Sequence, residues 1–222
     1  MPTDRRTRKR LVTRQAISDA ATLLFIERGF DNVTVDEIAE AADVGRMTVF
    51  NHFPRKEDMF FDREEEGREK FLDALRQRAA NVAPIEAIRQ LAHRAATEDP
   101  VYISFFPGSR NFVETVEKSP TLIARARAIR DETAQLVAVA LAESVGREPT
   151  DPDAYLAANL VLATWTVAFI QAHRVYRQSK DAGKARSTFL ALVDQGTRGI
   201  EAATAGTPYV QAGLPQSGSR KP

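Results

Sequence analysis

The chain has 222 residues, enough for one large domain or two small ones. Apolar residues make up 43% and charged residues 27%, so a packed core is available and the chain is globular. There are no cysteines, which excludes disulfides and thiolate metal sites, and a net charge of +1 gives no global bias toward an acidic partner.

The charge is unevenly placed. Residues 1–14 carry Arg5, Arg6, Arg8, Lys9, Arg10 and Arg14 against Asp4. Such a segment suits contact with phosphates, and it equally suits a solvated terminus. Residues 1–12 therefore read as a basic N-terminal arm.

The first predicted helix spans 13–28. Ile17, Ala20, Ala21, Leu24 and Phe25 form one apolar stripe, Thr13 can cap its start, and Gly29 supplies the left-handed residue at its end. A second helix opens at Thr34-Val35-Asp36-Glu37, a capping box in which Thr34 and Glu37 satisfy each other's backbone. Ile38, Ala41 and Ala42 face inward, and the small Ala39 admits a close neighbour. Asp43-Val44-Gly45 is a turn, with Asp43 tolerant of positive φ. A third helix over 46–52 buries Val49 and then Phe53, leaving Arg46, Met47, Thr48 and Asn51 outside. Helix, short turn and helix with a polar outer face is how a helix-turn-helix meets the DNA major groove. A generic helical hairpin has the same pattern.

A long fourth helix is expected over 56–80, then one over 84–97. The aromatic segment 102–108 follows. Further helices are expected from Ser119-Pro120 to about residue 145, from Asp151-Pro152 to about 178, and over 182–203. The residues after 204 are rich in Gly, Pro, Ser and Gln and read as a mobile tail. The expected class is all-α, with about nine helices and no strands. The expected domains are a helix-turn-helix three-helix DNA-binding domain at 13–58, a helical ligand-binding and dimerisation domain at 59–204, and a tail at 205–222.

No constellation points to catalysis. There is no Gly-x-Ser-x-Gly, no Gly-rich phosphate loop, and no paired histidine with a carboxylate. The three histidines (His52, His93, His173) lack paired-ligand spacing, so no catalytic residue, cofactor or metal is expected. No apolar run approaches the roughly 20 residues of a membrane span. The stretch 156–172 contains Asn159, two threonines and Gln171, which suits a buried helix, and no membrane contact is expected. The N-terminus lacks the unbroken apolar core of a signal peptide, so a cytoplasmic protein is the expectation.

Residues 13–59 resemble the DNA-binding domain of the TetR/AcrR family of transcriptional regulators. The resemblance rests on Glu27-Arg28-Gly29-Phe30, on Thr34-Val35-Asp36-Glu37-Ile38-Ala39, and on Val49-Phe50-Asn51-His52-Phe53-Pro54-Arg55-Lys56-Glu57. It implies a homodimer that binds a near-palindromic double-stranded DNA operator, acts as a repressor, and is released by a small hydrophobic effector. By position, Arg46, Met47, Thr48, Phe50, Asn51, His52 and Lys56 would form the DNA surface, with Thr34 and Arg14 on phosphates. Three positions depart from the family pattern. Asp43 replaces a usual glycine, Met47 replaces a usual small residue, and Phe50 lacks the hydroxyl of a usual tyrosine. Met47 and Phe50 also fit the alternative of a helical protein-binding or scaffold module that has lost operator recognition.

For the second domain, Tyr102, Phe105, Phe106 and Phe112 form the candidate wall of an effector cavity, with Trp165 and Phe169 facing it and Arg110 and Asn111 as polar anchors. Each aromatic equally suits a core. Tyr155, Asn159, Leu162, Thr166, Ile170 and His173, with Phe189, Leu192, Val193, Gly196 and Ile200, recur at helical spacings. The family builds its four-helix dimer interface from its last two long helices, and the resemblance places these residues there.

Overall fold

The computed structural model describes residues 5–97 and 103–212, and among these residues there are ten α-helices and no strand. The chain divides into two compact units. One is Met1–Glu65 with Asn111–Ala128, and the other is Glu66–Arg110 with Ile129–Pro222.

The first unit holds α1 (Arg5–Arg28), α2 (Val35–Ala41), α3 (Arg46–His52) and α4 (Lys56–Phe60). α1 begins at Arg5 rather than at the expected Thr13. Residues 5–12 are Arg, Lys, Leu, Val and Thr, none of which breaks a helix. Thr13 is no cap; its hydroxyl donates to the Lys9 carbonyl at 3.0 Å inside the helix. The basic arm, from Arg5 onward, is therefore the opening of α1. Ile17, Ala21 and Phe25 are fully buried along one face. Gly29 has φ 83°, and Phe30 turns back so that its ring centroid lies 4.8 Å from that of Phe25.

The expected fourth helix is two. α4 ends at Phe60, residues 61–63 turn, and α5 (Glu64–Arg76) follows. Met59, Phe60 and Phe61 all pack on the first unit's core. A continuous helix would spread three consecutive side chains by about 100° each, and the turn gathers them instead.

α7 (Pro107–Lys118), not expected from the sequence, and α8 (Pro120–Ser144) supply residues 111–128 to this unit. Phe112 stacks on Phe60 with ring centroids 4.5 Å apart, and Leu122 is fully buried in the same core. Ser119 donates to Asp31 at 3.1 Å, and Arg125 pairs with Glu64 at 2.9 Å and Asp58 at 3.3 Å. The helix-turn-helix domain is thus completed by a segment distant in sequence.

The second unit contains most of α5, α6 (Pro84–Thr97), the later part of α8, α9 (Pro152–Ser179) and α10 (Ala182–Ala203). Asp151 caps α9 by accepting from the amides of Asp153 and Ala154 at 2.9 and 3.1 Å, and Asp181 caps α10 from the Lys184 amide at 3.0 Å. One core joins Phe71, Leu75, Ile88, Leu141, Val161 and Ile200, and a second joins Phe105, Tyr176, Phe189 and Val193. α9 and α10 form the most extensive helix pair. A Cβ at Gly196 would collide with the Thr164 side chain, so glycine lets the two helices approach there. By length and composition α9 could cross a membrane, a property the sequence reading did not credit to it. One of its faces is nevertheless core: Ala157, Ala168 and Ala172 are fully buried.

The expected mobile tail is ordered at its start. Pro208–Val210 forms a 3-10 turn and Tyr209 is fully buried in the first of the second unit's two cores. Residues 213–222 lie outside the described residues.

Candidate DNA-binding surface

The capping box forms as its sequence predicts. The Glu37 amide donates to Thr34 Oγ1 at 3.3 Å, and Glu37 Oε2 accepts from the Thr34 amide at 2.8 Å. These Thr34 bonds, together with Arg28, hold the Glu37 carboxyl down to about 2. Asp43 sits at φ 52°, in the left-handed region that its short polar side chain tolerates. Val49 and Phe53 are fully buried, which fixes the rotation of α3.

That rotation leaves one face outward. Arg46 and Asn51 are exposed, Met47 is 71% exposed, and Thr48, Phe50 and His52 are half-buried. Arg46 pairs with Asp36 at 2.7 Å, and its guanidinium lies 5.5 Å from the Phe50 ring centroid. Both partners of that ion pair are more than half exposed, so it is weak enough to yield to a phosphate or a guanine edge.

Three residues expected on DNA make bonds that hold the domain together. Thr34 commits its hydroxyl to Glu37, accepting one bond and donating another at 2.8 Å. Arg14 donates to the His52 carbonyl at 2.6 Å and covers the Phe53 ring at 4.0 Å, closing the end of α3. Lys56 donates to the carbonyls of Phe30 and Val33, both at 2.9 Å, with its ammonium 4.2 Å from the Phe30 ring. Burial lowers its pKa, against the opposing pull of Asp31 and Glu57.

Arg10 of the basic arm acts on the end of α3 as well. Burial first, then Arg10 and Arg14, lower the His52 pKa, so these cations lie near the end of α3. Residues 6, 10 and 14 are all arginines at the i, i+4 spacing of one helix face. Extending α1 through the basic arm would have revealed that row.

The residues of the expected effector wall are divided between the two units. Tyr102 lies outside the described residues. Phe112 and Asn111 belong to the first unit, whereas Phe105, Phe106, Arg110, Trp165 and Phe169 belong to the second. Phe105 packs against His173 and Tyr176, Trp165 against Phe71 and Phe189, and Phe169 against His173. Phe106 is half exposed. The second unit does contain a cleft of about 660 Å³ between α5 and α6, and none of these aromatics lines it.

The expected dimer residues also divide. Leu162, His173, Phe189, Val193 and Ile200 are buried within the chain, and Gly196 faces Thr164 of α9. In the single chain these residues pack against its own core and helices. Tyr155 and Ile170 remain exposed, joined on α9 by Leu156, Ala163 and Val167, while Asn159, Thr166 and Leu192 are partly exposed.

Comparison with known proteins agrees with this geometry. Residues 17–62 match the family described as "Bacterial regulatory proteins, tetR family". The chain is 37% identical over 83 residues to the HTH-type transcriptional regulator TcmR of Streptomyces glaucescens, a stretch spanning 37% of each protein. The chain therefore covers little more than a third of that relative. NalD, the secondary repressor of the MexAB-OprM multidrug efflux pump in Pseudomonas aeruginosa, shares the fold. Its TM-score is 0.56 at 16% identity, over 86% of this chain and 97% of NalD. The SmeT–triclosan complex gives a TM-score of 0.55 at 19% identity, over 92% of this chain and 98% of SmeT. The sequence match to TcmR is confined to that third, and the two solved structures share the fold along nearly the whole chain. With its capped α2 and outward-facing α3, the segment 17–62 is thus a domain of the tetR family of bacterial regulatory proteins, and the rest of the chain shares the all-helical fold of these solved structures.

Proposed function

We propose that this protein is a cytoplasmic transcriptional repressor that binds a near-palindromic operator as a homodimer and is released by a small-molecule effector. The observation that carries it is the orientation of α3. Val49 and Phe53 are fully buried, so Arg46, Met47 and Asn51 project outward together. Arginine and asparagine are the side chains best matched to guanine and adenine edges, and an exposed thioether suits a thymine methyl.

Dimerisation rests on α9. Leu156, Ala163, Val167 and Ile170 form an exposed apolar row at helical spacing, and Gly199 on α10 has nothing within 4 Å of its missing Cβ. Such a row is best explained by a second copy. Two recognition helices would then read half-sites about one helical turn apart, roughly 34–36 Å. The effector acts by preferring one of two conformations of the dimer. SmeT, of similar fold, is known in complex with triclosan, which supports a small molecule as the class of effector.

A gel shift on the DNA upstream of the protein's own gene tests the reading. Sequence-selective binding that weakens steeply with salt is expected. Loss of selectivity against random DNA would sink it. The exposed Met47 favours one alternative, a protein-binding module. That reading gains if Arg46→Ala and Asn51→Ala leave DNA binding and reporter output unchanged.

A further inference from the structure

We propose that the α5–α6 cleft of the second unit binds a small amphiphile with a single anionic head, a carboxylate or a phosphate ester. This deepens the effector part of the proposed function and rests on that reading for its consequence on DNA, but not for binding itself.

A face of α5 with the segment just after it, and a face of α6, make the cleft. Lys70, Asp73, Ala74, Gln77 and Arg78 line one side, and Ala87, Gln90, Leu91, Arg94 and Ala95 line the other. Lys70, Asp73 and Ala74 share a face of α5, Gln77 and Arg78 follow just past its end at Arg76, and the second set has the spacing i, i+3, i+4, i+7, i+8 of one continuous face of α6. Facing stripes of this kind ordinarily close by interlocking large apolar side chains. Here Ala74, Ala87 and Ala95 are too small to do so, and about 660 Å³ stays open. That volume suits a small molecule.

The lining is apolar at the alanines and Leu91, and its charges are mostly positive. Lys70, Arg78 and Arg94 are its cationic lining residues and Asp73 its anionic one, and Asp73 lies 3.4 Å from Arg76. Arg78 is fixed in place without being neutralised. It donates to the Val82 carbonyl at 3.1 Å and to the Ser144 carbonyl at 2.6 Å, and its buried Nε has no hydrogen-bond partner. A guanidinium held by neutral carbonyls keeps its full charge and loses little freedom when an anion arrives. Arg94 adds a second guanidinium, exposed at the rim. A neutral apolar guest would cover these two guanidiniums and offer them nothing, whereas an anionic head pairs with them and leaves its chain on the alanines.

Calorimetric titration of the full chain with octanoate, octyl phosphate, octanol and octylamine tests this. Octanoate or octyl phosphate should bind at least about tenfold more tightly than octanol, which is about 1.4 kcal/mol, and the tighter of the two names the head group. Arg94→Glu and Lys70→Glu should each weaken the anionic ligand at least about tenfold. Both leave the Arg78 anchor intact, so the melting temperature should stay within about 2 °C. Arg94→Gln gives a smaller loss of the same sign and serves where charge reversal unfolds the protein. Equal binding of octanoate and octanol, tightest binding of octylamine, no binding of either anion, or wild-type affinity in the variants overturns the proposal. An operator gel shift on the same samples separates the two readings. Intact DNA binding without anion binding removes this site and leaves the regulator; anion binding without DNA binding does the reverse.

Discussion

Arg14 Nη1 donates to the His52 carbonyl at 2.6 Å while its guanidinium covers the Phe53 ring at 4.0 Å. The carbonyls at the end of α3 have no partner within the helix, and the helix dipole places negative charge there. A cation from α1 answers both needs and sets the angle at which α3 leaves the core. Arg14→Ala should therefore destabilise the first unit by about 1–3 kcal/mol, from a charged hydrogen bond and a cation–π contact. Thermal unfolding checks this. The salt dependence of DNA binding separates the roles. Arg46→Ala should lower the slope of log K against log salt by about 1, whereas Arg14→Ala should leave it unchanged. An equal change in both variants would show that Arg14 contacts phosphate as well.

Arg46 is held by Asp36 at 2.7 Å across the turn. DNA must compete with that carboxylate for the guanidinium. The pair is exposed on both sides, so Asp36→Asn should change stability by less than about 1 kcal/mol. It also removes a negative charge from the edge of the DNA face. Operator affinity should rise, and Arg46→Ala should cost about 1–3 kcal/mol of binding. Measured dissociation constants at fixed salt decide it; an affinity that falls in Asp36→Asn would mean that the ion pair positions Arg46 for DNA.

The parts of the domain that the sequence reveals are those whose partners are close in the chain. Thr34 and Glu37 are three residues apart, and Asp43 needs only its own side chain to accept φ 52°. The same holds for Asp151 and Asp181, each bonded to amides two or three residues on. The intrachain bonds of Arg14 and Lys56 are not legible in the sequence because their partners lie 38, 26 and 23 residues away. A cation beside a recognition helix suggests phosphate, but the unpaired carbonyls of a folded domain compete for it. Phe112 has the same difficulty, since its stacking partner Phe60 is visible only once the chain has folded. For α9 and α10, a 3.6-residue period identifies faces without saying which one meets its own chain.

Gly196 shows how that ambiguity resolves. A Cβ there would overlap the Thr164 side chain, so the contact lies within one chain. Gly196→Ala should cost about 1–3 kcal/mol by overpacking, despite alanine's better helix propensity. Thr164→Ala in the same chain should recover much of that loss, because it removes the atoms in the way. A double-mutant cycle by chemical denaturation measures the coupling. Additive effects would show that the residues do not touch.

The exposed row on α9 makes the complementary prediction. Val167 is 51% exposed and Ile170 is 38% exposed, so a charge at either position disturbs no core. Val167→Glu with Ile170→Glu should give a monomer in sedimentation, with unchanged helical content. Operator affinity should fall with it, since two linked half-site contacts become one. A stable dimer in the double variant would move the interface elsewhere.

Tyr209 tests whether the C-terminal turn belongs to the fold. It is fully buried in a core with Phe71, Leu75, Ile85 and Leu141, and burial, then the Asp151 carboxylate, push its phenol up to about 12. Tyr209→Ala should cost about 3–5 kcal/mol, as for other buried aromatics. Its hydroxyl is buried without a hydrogen-bond partner, so Tyr209→Phe should be neutral or slightly stabilising. The titration gives a second signature. The phenol ionises near 10 in the unfolded chain and only near 12 in the folded one. The folded state thus binds the proton more tightly, and this contribution is full below pH 10 and is lost as pH rises through 10 to 12. Denaturant unfolding across that range should show wild-type stability falling more steeply than that of Tyr209→Phe. Parallel curves for the two proteins would mean that the ring is solvated in solution and that the turn lies off the core.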